Sequence, residues 1–142
     1  MSSQQTNETN VDLQYRTLLI LWAALLMATV MYVVMTFLIV RPAAAENPTL
    51  TIALCALSAV LVVASFVVKS RFVSRSVALQ DLRLVRIGSV IAWAMCEASA
   101  LFGLIDFMVT PDRYYILLMA LGFLGILLHF PRRSQLVAAS GG

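Results

Sequence analysis

The stretch IGSVIAWAMCEASALFGLIDFMV, residues 87–109, decides how this chain folds. A helix needs about 20 apolar residues to cross the hydrocarbon core of a bilayer, and this run is long enough. It holds no Lys or Arg and only two acids, Glu97 near its middle and Asp106 near its end. Its small residues Gly88, Ala92, Cys96, Ser99 and Gly103 recur at steps of three and four. That spacing puts them on one face of a helix. Strands are excluded, because period-2 alternation is missing.

Three further apolar runs flank it, at residues 17–40, 50–68 and 114–130. They explain the composition: 61% of the 142 residues are hydrophobic and 12% are charged. The mean hydropathy is +0.92. A soluble domain carries about 25% charged residues and cannot hide this much apolar surface at this size. A soluble enzyme, a disordered chain and a nucleic-acid binder are therefore excluded.

The expected fold is an all-α membrane protein, with four transmembrane helices in an antiparallel up-down bundle. The helices are expected at about 15–41, 49–69, 77–110 and 113–130. They form one domain over residues 14–133. A polar tail at 1–13 is expected to be disordered, and the tail at 134–142 flexible. The first run lacks a basic leader and a cleavage site, so it reads as a retained helix. Pro42 and Pro48 punctuate the first linker, and Pro111 marks a tight hairpin. In the middle linker, 69–86, Ser76 is the expected cap of a helix running into the third span.

Lys and Arg set the orientation. Eight of the ten lie in the first tail, the middle linker and the last tail, against Arg41 and Arg113 in the other two linkers. Both termini and the middle linker are thus expected in the cytoplasm, by default that of a bacterial inner membrane. Arg71, Arg75, Arg83, Arg86, Arg132 and Arg133 are the expected contacts to lipid headgroups. His129 reads as an interfacial belt residue, and Asp106 as an acid that snorkels outward. Cys55 and Cys96 read as small core residues.

In lipid, small and polar residues select helix partners, because apolar attraction does not. Gly88, Ala92, Cys96, Ser99, Gly103, Gly122 and Gly125 are the expected packing positions. Glu97 is the costly residue. A charged carboxylate at mid-bilayer costs about 3 kcal/mol on insertion scales. No Lys or Arg lies within any of the four runs to pair with it. A neutral acid can both donate and accept a hydrogen bond. Thr29, Tyr32 and Ser58 fall at similar depth and are its expected partners. Three roles follow: polar glue between helices, a site for a proton or cation, or docking to another subunit.

The segments Leu79-Gln80-Asp81-Leu82-Arg83 and Ala94-Met95-Cys96-Glu97-Ala98-Ser99-Ala100-Leu101-Phe102-Gly103-Leu104-Ile105 resemble the carboxylate-bearing helix of the rotor-ring subunit c of rotary ATP synthases. The resemblance implies a proton-carrying role for Glu97. It departs from that family in the second run, which lacks the alternating Gly ladder, and in the loop, which lacks the Arg-Gln-Pro turn. No Ser/His/acid set, metal cluster or phosphate loop stands out, so no enzyme activity, metal or cofactor is expected. The expected function is a non-catalytic accessory or oligomer-forming membrane subunit, with Glu97 as a neutral polar anchor. Its expected partners are the bilayer and either copies of itself or a larger membrane complex. The alternative is a proton- or cation-translocating unit with Glu97 as carrier.

Overall fold

A computed structural model describes residues 2–40, 47–110 and 113–140, which are helical apart from short joints. Five helices follow in order: α1 (Ser2–Leu38), α2 (Pro48–Leu79), α3 (Leu82–Val109), α4 (Tyr115–Leu128) and α5 (Arg133–Ala139). Thr9–Leu38, Pro48–Leu79 and Leu82–Val109 are each long and apolar enough to cross a membrane. The pair α4 and α5 passes the same test together, but it bends by 52° at its break. The last run is thus shorter than the expected helix at 113–130. At 1.5 Å per residue, α4 alone is about 21 Å long. Long apolar helices of this kind are compatible with a multi-pass membrane protein.

The helix ends follow local chemistry. Asn47 caps α2, its side chain accepting the Leu50 N–H at 3.2 Å, with Pro48 in the first turn. The expected breaks at Pro42 and Pro111 lie outside the described residues. The expected cap at Ser76 is corrected. α2 runs on to Leu79, and the Ser76 hydroxyl donates to Val73 O within the helix. The turn falls at Gln80, whose φ of 50° is left-handed. Asp81 is the cap of α3 and accepts the Arg83 N–H at 2.8 Å. The reason is packing: Phe72 lies against Gly88, so α2 and α3 stay zipped together beyond the apolar runs.

Both tails depart from expectation in the same way. α1 starts at Ser2, where a disordered tail was expected, and α5 occupies most of the expected flexible end. Val11, Leu18, Val85, Trp93, Leu136 and Ala139 form one buried cluster. Arg133 and Asp12 add an ion pair at 2.7 Å, half exposed on both sides. Val11 of α1 thus shares one buried cluster with Leu136 and Ala139 of α5.

α3 is the central helix, in contact with α1, α2, α4 and α5. Its small-residue face is buried throughout: Gly88, Ala92, Cys96, Ser99 and Gly103. Two glycines let α4 approach at backbone distance. A Cβ on Gly122 would lie 2.6 Å from Cys96 O, and one on Gly103 would lie 2.8 Å from Tyr115 O. No side chain fits there, which is how small residues replace the hydrophobic effect as the selector of partners. α1 rests on α3 and α4 with a narrower face: Leu18, Trp22, Leu25 and Thr29 lie inward, while Ile20, Met31 and Phe37 are exposed.

Candidate functional site

Three polar groups are built into the helices. The first joins α1 to α3. The Tyr32 hydroxyl donates to Glu97 Oε1 at 2.8 Å, and both residues are half-buried. Of the other expected partners, Thr29 is buried but donates to Leu25 O one turn back, at 2.7 Å. Ser58 is buried, and its hydroxyl has no partner among the described residues. The structure therefore brings Tyr32 to Glu97 and gives Thr29 and Ser58 no hydrogen bond to it.

The second group was not anticipated. Asp106 is fully buried between α2 and α3 and does not snorkel to the surface. The Thr51 hydroxyl donates to Oδ1 at 2.9 Å. The Thr110 hydroxyl lies 3.0 Å from the same oxygen and 2.9 Å from Asp106 O. Oδ2 has no partner among the described residues, and neither do the buried hydroxyls of Ser58 and Ser99. Thr51 and Ser58 on α2, like Ser99 and Asp106 on α3, are spaced by seven residues. Each pair therefore lies on one helical face. That spacing was the available signal: Asp106 continues the stripe through Ser99 and Gly103, and Thr110 extends it by one more turn.

The third group is at the end of α4. His129, expected at the interface, is 1% exposed. Its Nδ1 lies 2.7 Å from Gly125 O. A carbonyl can only accept, so Nδ1 carries the proton there. Nε2 is 3.4 Å from Ser65 Oγ, and the ring is tilted against Phe66 with centroids 4.3 Å apart. The His129 carbonyl, freed by the end of the helix, accepts from Trp93 Nε1 and from Lys69 Nζ, both at 3.0 Å. One turn earlier, Trp22 Nε1 donates to Ile126 O at 2.8 Å. The orphan carbonyls at a helix end need such partners away from water. Trp93 and Lys69 supply them at His129 O, and Trp22 adds a second donor to Ile126 O, which already accepts the His129 N–H at 3.2 Å.

The six arginines expected at headgroups are all exposed, but Arg133 is engaged with Asp12. Cys96 is buried and Cys55 half-buried, both as free thiols. Among the described residues, no three His, Cys, Asp or Glu side chains gather as a metal site. Compared with family models, curated proteins and solved structures, the chain matches none.

Proposed function

We propose that this chain is a small multi-pass subunit of a bacterial inner membrane that assembles with copies of itself and performs no catalysis. In this reading α1 to α4 form an antiparallel four-span bundle, with both termini and the α2–α3 turn in the cytoplasm. The observation that carries it is the 2.8 Å hydrogen bond from Tyr32 to Glu97. It turns the one acid at mid-span into a clip between α1 and α3. The carboxyl remains half-covered on that seam. A polar group left beside lipid is costly, and a hydrogen-bonding neighbour on a second copy relieves that cost.

The test compares two variants by light scattering in mild detergent. Glu97→Gln keeps the hydrogen-bonding capacity and is expected to retain the oligomer. Glu97→Leu is expected to dissociate it. A monomeric wild type, or an oligomer indifferent to Glu97→Leu, removes the proposal.

Glu97 as a proton or cation carrier is the second reading. It is supported by the same half-covered carboxyl, open at one edge and held by a hydroxyl. Here Glu97→Gln, which cannot ionise, abolishes proton flux into liposomes while leaving assembly intact. Flux that survives Glu97→Gln ends this reading.

A further inference from the structure

A groove of about 380 Å³ lies between α2 and the bend from α4 to α5. We propose that it binds the phosphate headgroup of an anionic phospholipid, with Lys69 and Arg132 as the anion's partners.

Both kinds of side chain line the groove: Phe66, Leu128 and Phe130 are apolar, and Lys69, Ser70, Arg132 and Gln135 are polar. A diacyl phospholipid offers an apolar tail and a charged head to such a lining. Inorganic phosphate has no use for the apolar residues.

The charges are unbalanced. Lys69 is pinned by its bond to His129 O at 3.0 Å. An ammonium has three donors, so two remain. Arg132 stands close enough to act on Lys69 as a like charge. Among the described residues the ion pair is Arg133 with Asp12, so neither groove cation has a carboxylate. Two cations held together in a partly desolvated groove repel, and a bound anion reverses the sign of that interaction. A phosphate also accepts from the flanking Gln135 amide. This differs from the general attraction of exposed arginines to a charged surface, because here the cations converge on a recess.

The experiment uses the full chain in vesicles of phosphatidylcholine with or without phosphatidylglycerol. Lipid retained after extraction into mild detergent is counted by native mass spectrometry. Wild type is expected to retain phosphatidylglycerol over phosphatidylcholine. Arg132→Gln, exposed and outside the core, is expected to lower that retention roughly fivefold, as about 1 kcal/mol per surface cation implies. Arg83→Gln, an equally exposed cation on α3, is expected to leave it unchanged, and neither variant alters the oligomeric state. An equal loss in Arg83→Gln reduces the effect to general surface charge and overturns the proposal. So does full displacement of phosphatidylglycerol by inorganic phosphate, which assigns the groove to a soluble anion.

Discussion

The seam between α3 and α4 and the seam that holds α1 are built by different means. α3 and α4 meet at backbone distance through Gly103 and Gly122, with Cys96 and Ala100 opposite. α1 is held at a distance by long side chains, Trp22 reaching Ile126 O and Tyr32 reaching Glu97. The first seam depends on what is absent from the side chains, and the second on what is present at their tips. In lipid, close approach yields dispersion along the whole contact, whereas a hydrogen bond acts at one point. α3 and α4 therefore form a rigid core with α2, and α1 is the element that can loosen alone.

The comparison breaks first at Gly122. A leucine there would drive its Cβ into Cys96 O, and overpacking of this kind costs roughly 3 kcal/mol. Gly122→Leu is expected to lower the unfolding midpoint in an SDS titration and to disorder every helix together. If α1 alone loosens, the core is not where the stability lies. Removing a buried donor comes next. Thr51→Val strips the buried Asp106 Oδ1 of one of its two partners, at a cost of about 1–2 kcal/mol. The same titration reads it, and an unchanged midpoint shows that the bond contributes nothing net.

Tyr32→Phe sharpens the contrast. It removes only the hydroxyl, worth about 0.6–1.7 kcal/mol by measured interhelical bonds in membranes. Hydrogen exchange in micelles is expected to speed up in α1 and to stay constant in α3 and α4. A uniform change across all helices contradicts separate seams. The smallest effect is a gain. Gln80 adopts a left-handed φ of 50°, which glycine takes without a Cβ clash. Gln80→Gly is expected to add about 0.5–1 kcal/mol of stability and to raise the midpoint accordingly. A fall shows that the Gln80 side chain supports the turn.

The apolar runs and the inward stripe of α3 could be read from spacing, while depth alone named Thr29, Tyr32 and Ser58 beside Glu97, of which only Tyr32 bonds to it. Period fixes which residues share a face, and depth along a span pairs residues of different helices. What spacing missed was made by tertiary partners. Asp106 lies near the end of an apolar run, where an acid ordinarily reaches water. It is buried because Thr51 and Thr110 meet it. His129 sits beside Pro131 and two arginines, a context that reads as surface. It is buried because the end of α4 turns inward under Trp93 and Lys69. The tails were misjudged on polarity, although Val11, Tyr15, Leu18 and Trp22 continue the α1 stripe at steps of four and three. Val11 and Leu18 are buried with Leu136 and Ala139, more than a hundred residues away in the chain.

The shortness of α4 has a mechanical consequence on the membrane-spanning reading. The apolar run of α2, residues 50–68, is about 28 Å long and matches a hydrocarbon core of about 30 Å, whereas α4 alone reaches about 21 Å. On this reading only the α4 flank falls short of the bilayer. Such mismatch costs a fraction of a kcal/mol per ångström and is relieved by thinning or tilt. The bilayer beside α4 would then be thinned locally, while the bilayer beside α2 keeps its ordinary depth.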